Sequence, residues 1–500
     1  MDLQAFIFCG KGFKLSPFSH TRGDNGVPKA ILPIANRPMI EYVLDWCDQA
    51  NFNEINIVVD SVDVDEIREG VQPFLTRRNQ QLDILSRNLS SHHSHYVRKP
   101  SPVNFIGSKC ESTGESLQKE LLERINGDFV LLPCDFITDI PPQIFIDQYR
   151  NKDDENLAMA VYYHNTFENI DKKHLKQFFT VFSDNEDSTN QPVLLDTYSK
   201  DDVDKTKYLQ IRAQLLWRYP NATVSTKLLN SFIYFCSYEL AQLLSQQDSR
   251  AQSEAESDDS EDEDSSKFKQ LSIQPTYFKK KNKLVKDPLT CNKSLAKIFR
   301  DLGRRSWQHS KTRETVGIFI LPTVGSFIRS NNLSTYMEAN RYILKIKSSS
   351  MLSQTASTTG PASAIGADSV VGANSTILEK TNIKRSVLGK NCKVGKRCRI
   401  VGSIILDGVE IDDETGLENV IIGKFGKIGK KCKLTNCYVE GTYSVSAKSV
   451  LKGETLTNIY LDSDEFSEDA LETNSEEDSS DYTDEYYEDD EFEDDGLFER

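Results

Sequence analysis

A six-residue spacing of aliphatic residues, often followed by glycine, runs through the C-terminal part of this 500-residue chain. The repeated positions are Ile365, Val371, Ile377, Ile383, Leu388, Val394, Ile400, Ile422, Ile428 and Leu434. A single hexapeptide cannot bury its own aliphatic side chain, so stacked coils with inward-pointing aliphatic residues must bury it. The spacing therefore predicts a left-handed hexapeptide β-helix over residues 363–461, with about five coils of three hexapeptides each.

The repeat region contains no histidine, because the last histidine of the chain is His309. Many hexapeptide β-helices are acyltransferases, and these need a histidine on a coil as the general base. Acyl transfer by that route is therefore excluded. We expect this domain to be structural, with flat faces that pack on a partner.

The formal net charge of −16 is distributed very unevenly along the chain. Residues 462–500 carry a net charge of −19 and residues 254–264 carry −8, which leaves +11 on the rest of the chain. Such acidic stretches cannot bury apolar surface, so we predict a disordered insert at 246–270 and a disordered tail at 462–500. The basic remainder could bind RNA-bearing assemblies or acidic protein faces, but it lacks recognition-module aromatics, so direct nucleic-acid binding is not expected.

The ten cysteines include no Cys-x-x-Cys pair, which argues against a zinc site and favours buried thiols in a reducing cytosol. We predict no metal site. The N-terminus lacks a leader pattern, and no apolar run approaches the length that spans a membrane. These features predict a soluble cytoplasmic or nuclear protein, and we expect the cytosol.

Residues 1–345 are predicted to form an α/β domain whose first elements are arranged as in a Rossmann-like fold. A buried strand at 4–8 precedes a glycine turn, Gly10-Lys11-Gly12, and a helix at 38–50 precedes a second strand at 55–59. Glycine in such a turn lets backbone N–H groups approach an anion, and ligands of parallel sheets lie at the carboxyl ends of strands. Asp135 ends another apolar run, Phe129 to Leu132. A Ser/Thr/Gln-rich linker is predicted at 346–362.

The order of Gly10-Lys11-Gly12, Pro28-Lys29, Asn36-Arg37-Pro38-Met39 and Ser112-Thr113-Gly114 resembles the sugar-nucleotide pyrophosphorylases. That resemblance implies a nucleotide or sugar-phosphate pocket formed by Gly10, Gly12, Lys29 and Asp135. It also implies that Asp135 matches a magnesium-binding aspartate, although the residues themselves equally allow a helix-cap or turn aspartate.

Several positions depart from the pyrophosphorylase pattern. The family's glycine loop reads roughly Gly-Gly-x-Gly-Thr-Arg-Leu, whereas this chain has Cys9, Phe13 and Lys14 at three of those places. Lysine keeps the positive charge of arginine but loses its planar fork. The second metal-binding aspartate falls at Arg329, counted back from Tyr336, and a cation there repels magnesium. We therefore expect the fold without its reaction, no catalytic residues and no cofactor.

The whole-chain pattern resembles the gamma-subunit family of translation initiation factor 2B, of the fungal type. The motifs that carry the resemblance are FCGKG, VPKAILPIANRPMIEYVLDW, STGESLQKELL, GDFVLLPCDF and SIQPTYFKKKN. The resemblance implies a non-catalytic subunit of the guanine-nucleotide exchange factor for initiation factor 2. It implies pairing with the catalytic epsilon subunit, and assembly with the alpha, beta and delta subunits into a two-fold decamer.

Two other hypotheses stay open. The chain could be an active sugar-phosphate nucleotidyltransferase with an unusual loop, since Lys29 and Asp135 are retained. Alternatively, the pocket could bind a nucleotide or sugar phosphate without turning it over, in which case the ligand would stabilise the folded domain.

Overall fold

The computed structural model describes residues 3–458, except 20–25, 89–99, 155, 171–174, 176, 184–190, 210, 212, 246–290, 307–313, 350–357 and 360–363. The chain forms two compact units that divide between Tyr342 and Ile343. The predicted acidic insert and acidic tail lie outside the described residues. Among the described residues, none of the helices is long and apolar enough to cross a membrane.

A mixed ten-stranded β-sheet forms the centre of the N-terminal unit. The strands of this unit are β1 (Gln4–Phe8), β2 (Pro33–Ile34), β3 (Arg37–Pro38), β4 (Glu54–Asp60), β5 (Val103–Ser108), β6 (Phe129–Pro133), β7 (Phe136–Thr138), β8 (Asn156–His164), β9 (Phe178–Ser183), β10 (Val193–Ser199), β11 (Ala222–Ser225), β12 (Leu228–Cys236), β13 (Thr315–Ile320) and β14 (Phe327–Arg329). Strands β2 and β3 form one separate two-stranded sheet, and β7 and β14 form another. The order across the large sheet is β11-β9-β10-β13-β8-β12-β6-β1-β4-β5. Strands β6, β1, β4 and β5 are parallel, so their carboxyl ends meet at one edge. The predicted Rossmann-like α/β fold is confirmed.

The N-terminal unit also contains several helices. They are α1 (Met39–Ala50), α2 (Val64–Asn88), α3 (Thr113–Ser116), α4 (Pro142–Arg150), α5 (Lys200–Thr206), α6 (Ala213–Arg218), α7 (Leu295–Arg304) and α8 (Leu333–Ser349), with a further helix at 238–245. Pro38 precedes the first turn of α1, and Asn51 ends the helix in the left-handed region at φ 58°, where its N–H bonds the Cys47 carbonyl. Helix α1 therefore lies within one residue of its predicted start.

Both faces of the central sheet are buried. Along β1, Ala5 and Ile7 pack in one hydrophobic cluster, whereas Phe6 and Phe8 pack in the cluster on the opposite face. A strand covered on both sides needs apolar residues at every position, which explains the unbroken apolar run in the sequence.

The C-terminal unit is a β-helix of three parallel six-stranded sheets. The first sheet contains Thr358–Thr359, Thr376–Ile377, Lys393–Val394, Glu410–Ile411, Lys427–Ile428 and Ser444–Val445. The second contains Ala364–Ile365, Asn382–Lys384, Arg399–Val401, Gly416–Glu418, Lys433–Thr435 and Val450–Lys452. The third contains Val370–Val371, Val387–Leu388, Ile404–Ile405, Ile421–Ile422, Tyr438–Val439 and Thr455–Leu456. This confirms the hexapeptide β-helix.

The coils differ from the simple six-residue period in one respect. Residues at equivalent positions of successive coils, such as Lys393 and Glu410, are 17 apart. The inward positions are therefore spaced by six, five and six residues, as from Val394 to Ile400, Ile405 and Ile411. The first coil keeps the strict length of 18 residues, since Ile365 pairs with Ile383, but in the later coils one corner is a residue shorter.

The corners need left-handed backbone at fixed positions. Three columns of residues have positive φ: Asn374, Asn391, Gly408, Phe425 and Thr442; Lys380, Arg397, Glu414, Lys431 and Lys448; and Arg385, Gly402, Asn419, Asn436 and Gly453. Asparagine and glycine tolerate this region, which accounts for their recurrence. Because successive residues of each column are 17 apart, each lies over its equivalent in the previous coil, and the outer surface is regular.

The domain boundaries stay predictions, with one difference at the linker. Helix α8 continues to Ser349, and strand Thr358–Thr359 pairs with Thr376–Ile377, so both intrude on the predicted linker 346–362. A Ser/Thr-rich composition lacks hydrophobic periodicity, but it does not prevent a helix from continuing or an edge strand from pairing.

Candidate functional site

The predicted pocket residues follow neighbouring strands of the parallel part of the sheet. The turn containing Gly10 follows β1, and Asp135 follows β6. Phe8 and Pro133 are register partners, and the N–H of Cys134 bonds the Phe8 carbonyl at 3.1 Å. The register thus brings the glycine turn and Asp135 to the same edge of the sheet.

Position 12 requires glycine because of its backbone conformation and because Lys29 packs closely against it. Its φ is +76°, and a Cβ atom there would lie 3.0 Å from the Cβ of Lys29. Its carbonyl accepts hydrogen bonds from the Ser19 hydroxyl at 2.6 Å and the Leu15 N–H at 2.8 Å. Gly12 therefore packs the turn closely against Lys29.

Asp135 is fully buried and is engaged by two cations. Nε of Arg329 donates to Oδ1 at 3.0 Å, and its terminal Nη2 donates to Oδ2 at 3.1 Å. Nζ of Lys29 lies 2.9 Å from Oδ2 and also donates to the side-chain oxygen of Asn331 at 2.6 Å. A bidentate arginine contact with a second cation neutralises the carboxylate as a bound metal ion would.

The Arg329 side chain is held in this position by its surroundings. Strand β14 pairs antiparallel with β7 in a register that places Arg329 opposite Phe136, and the Ser330 N–H bonds the Asp135 carbonyl at 2.8 Å. The guanidinium also lies over the ring of Phe232, 5.5 Å from its centroid. Backbone and ring contacts therefore direct Arg329 onto Asp135.

These contacts do not fit a magnesium site. Both Asp135 oxygens are used by side-chain cations, and the position of a second acid is occupied by Arg329. Within the described ranges, no group of three or more His, Cys, Asp or Glu residues could hold a metal ion. A magnesium–phosphate complex would have to displace Lys29 and Arg329 from a carboxylate with no exposed surface.

Of the altered positions of the glycine loop, Cys9 is buried, whereas Phe13 and Lys14 are exposed. The unaltered Lys11 forms an ion pair with Asp60 at 3.1 Å. Burial raises the pKa of the Cys9 thiol well above its ordinary value, and the adjacent Cys134 thiol raises it further. Cys9 is therefore a protonated, buried core residue.

The turn Ser112-Thr113-Gly114, one of the motifs shared with the pyrophosphorylases, is covered by another segment. The Gly114 N–H bonds the Lys293 carbonyl at 3.1 Å, and the Leu295 N–H bonds the Thr113 hydroxyl at 2.9 Å. A Cβ at Gly114 would overlap the carbonyls of Lys293 and Cys291. The segment before α7 thus occupies the space directly above this turn.

The structure brings together Gly12, Lys29 and Asp135 in contact, with Gly10 at the same sheet edge. Sequence reasoning placed Arg329 at the metal position but gave no sign that it contacts Asp135. It also missed Asn331, which is 302 residues from its partner Lys29, and the segment Cys291–Leu295. No local pattern marks such distant contacts.

The β-helix offers a second candidate surface, made of charge columns. In the first, Nζ of Lys393 lies 2.9 Å and that of Lys427 3.8 Å from the Glu410 carboxylate between them. The hydrogen bond from Lys393, with the charges of both lysines, lowers the pKa of Glu410.

A second column repeats this arrangement. Arg397 and Lys431 lie 3.5 and 3.6 Å from the Glu414 carboxylate, on the two sides of its coil. Opposite charges therefore alternate along these coils, and the alternation favours the observed register.

Comparison with known proteins gives three matches. The family model described as "EIF2B subunit epsilon LbH domain" matches residues 349–451. A "Translation initiation factor eIF2B subunit gamma" from Schizosaccharomyces pombe is 26% identical over 254 residues, which cover 50% of this chain and 48% of that protein. The chain is similar to an initiation factor 2B gamma subunit. The resemblance inferred from the sequence motifs is thereby confirmed, over about half the length of this relative.

The third match concerns the pyrophosphorylase-like superfamily. A "Bifunctional sugar-1-phosphate nucleotidylyltransferase/acetyltransferase" from Sulfurisphaera tokodaii is 37% identical over 60 residues, 12% of this chain and 14% of that protein. The match supports the superfamily assignment but covers too little of either chain to carry over a reaction.

Proposed function

We propose that this chain is a non-catalytic regulatory and scaffold subunit of the guanine-nucleotide exchange factor for translation initiation factor 2. In this proposal it acts in the cytosol and pairs with the catalytic epsilon subunit to promote GDP release and GTP loading. It joins the alpha, beta and delta subunits in a two-fold decamer and acts on initiation factor 2. The similarity to a gamma subunit and the β-helix match support this assignment.

The observation that carries the non-catalytic role is the buried cluster of Asp135, Lys29 and Arg329. Nucleotidyl transfer requires a carboxylate that is free to hold the metal on the phosphates. Here that carboxylate is used inside the protein by two cations. The β-helix, which has no histidine for acyl transfer, is left as a surface for a partner.

The test is GDP release from initiation factor 2, measured with epsilon alone, with epsilon plus this chain, and with this chain alone. We expect no release by this chain alone and faster release by the pair than by epsilon. Failure to bind epsilon, or an unchanged rate in the pair, would contradict the proposal.

The alternative is an active sugar-phosphate nucleotidyltransferase, favoured by retention of Lys29 and Asp135 and by the name of the Sulfurisphaera relative. Pyrophosphate exchange with magnesium, nucleoside triphosphates and a panel of sugar phosphates decides between the two. We expect no exchange, and any turnover that is lost in Lys29→Ala would favour the enzyme.

The same panel tests the pocket formed by Gly10, Gly12, Lys29 and Asp135. Ligand binding to the folded state raises the melting temperature by mass action. A concentration-dependent rise in wild type would support a pocket that binds without turnover. Because Lys29 is buried against Asp135, each variant must be compared with its own ligand-free melting temperature.

A further inference from the structure

The alternation of charge on the β-helix fails in its last coils. From Lys424 to Lys452 the chain has seven lysines and one acidic residue, Glu440. Glu440 is 3% exposed, and its carboxylate accepts the Asn458 N–H at 2.6 Å. It is therefore not placed to balance lysines on the outer surface.

Four exposed lysines of these coils form what we call the lysine face: Lys430, Lys433, Lys448 and Lys452. None of the four forms an ion pair with any residue in the part of the chain that the structure describes. By contrast, Lys427 and Lys431 share the acids of the preceding coil.

The lysine face is contiguous across the two coils. The Lys448 N–H bonds the Lys430 carbonyl at 2.8 Å, so these two corner residues of adjacent coils are neighbours. Lys433 and Lys452 lie on neighbouring strands of the second sheet, where Lys433 is the register partner of Val450 and Thr435 that of Lys452. Like charges placed in this way repel each other, so an anion that lies across them is favoured.

The same chain provides such an anion a few residues later. The last strand ends at Leu456, and residues 462–500 contain 20 acidic residues and one arginine. The side chain of Asn458 bonds the Gly441 carbonyl and the Thr442 hydroxyl, both at 3.3 Å, so the chain leaves the β-helix at these two coils. A tail of 39 residues reaches about 130 Å when extended, far more than the two coils require.

We propose that the acidic tail, residues 462–500, docks on the lysine face of its own β-helix. The attachment keeps the tail at high effective concentration, so many weak exposed ion pairs act together. The docked tail acts as an electrostatic cover that a more acidic partner or a polyanion must displace. Phosphorylation of serines beside its acidic residues would add charge and strengthen the contact.

The experiment uses the full chain and measures the acylation rate of each lysine by mass spectrometry. The test variant replaces the 13 acidic residues from Glu476 to Asp495 with Gln and Asn. The matched control makes the same replacements at the eight acidic residues from Glu254 to Asp264. Exposed Lys109 and Lys227 of the N-terminal unit serve as reference positions.

At low salt we expect the four lysines to react about threefold or more faster in the tail variant than in wild type. The reference lysines and the insert variant should be unchanged, and about 0.5 M salt should abolish the difference. Equal rates in wild type and the tail variant, or the same increase in the insert variant, would overturn the proposal. A chain ending at residue 461 gives an independent comparison should the substituted tail alter folding.

Binding of a short single-stranded RNA tests whether the docked tail blocks the lysine face. We expect the tail variant to bind it about tenfold more tightly than wild type, with the gain lost when the four lysines are also changed to glutamine. Equal RNA affinity in wild type and the tail variant would show that the face is open to nucleic acid and would refute docking of the tail.

Discussion

The buried contact between Arg329 and Asp135 predicts a large loss of stability in Arg329→Ala. The substitution removes two hydrogen bonds, of 3.0 and 3.1 Å, to a carboxylate with no exposed surface. Breaking a buried ion pair by removing one partner costs about 3–5 kcal/mol. Lys29 remains 2.9 Å from the carboxylate and the Arg329 side chain is 13% exposed, so we expect the lower end, about 3 kcal/mol.

Tryptophan fluorescence during urea unfolding measures this loss in the N-terminal unit alone. The three tryptophans are Trp46, Trp217 and Trp307, all before the β-helix, and Trp46 is buried in the core. Arg329→Lys should lose less stability than Arg329→Ala, because lysine keeps the positive charge beside Asp135. It should still be less stable than wild type, because it lacks the planar guanidinium that makes two hydrogen bonds.

The matched control is Arg68→Ala, which breaks an ion pair with Asp65 whose side chains are 51% and 90% exposed. Exposed pairs contribute about 0–1 kcal/mol, so this variant should unfold close to wild type. If Arg329→Ala is no less stable than Arg68→Ala, the contact does not hold Asp135 and the argument against a metal site fails.

Three further predictions concern pH and the β-helix. Burial, opposed by nearby Arg78, raises the pKa of Asp48 to about 6, so its folded state binds a proton more tightly than its unfolded state. When the pH falls from 7.5 to 4.5, the free energy of unfolding of wild type should therefore rise by about 2 kcal/mol relative to that of Asp48→Asn, as measured by urea unfolding. If wild type and Asp48→Asn differ in stability by the same amount at both pH values, the prediction is wrong. Val394→Asp places an unpaired carboxylate in the β-helix core and should prevent co-purification with epsilon. The control Lys384→Asp, at an exposed position outside the two charge columns, should co-purify normally. Normal co-purification of both variants would count against this role of the β-helix. Glu414→Lys replaces the ion pairs with Arg397 and Lys431 by repulsion between like charges, and should destabilise the β-helix by about 1 kcal/mol, as measured by circular dichroism. High salt should remove this loss of stability, and the control Glu418→Lys should not show it.

The fold was predictable because both units are encoded by short-range patterns. Each aliphatic residue of the repeat is buried by the coils next to it, so its spacing alone specifies the β-helix. The unbroken apolar run of β1 and the apolar face of α1 likewise identify elements of the sheet domain. The shorter corner was missed, because a glycine-marked repeat was read as strictly six residues long.

What the sequence determined about the candidate site was the identity of its charges: a retained lysine and aspartate, and an arginine where the family has an acid. What only the tertiary structure decided was that these charges neutralise one another inside the protein. Arg329 reaches Asp135 because β14 pairs with β7, and Lys29 reaches Asn331 across 302 residues. Contacts of this kind depend on how distant strands pack and on how completely they exclude water, and neither property is present in any local stretch of residues.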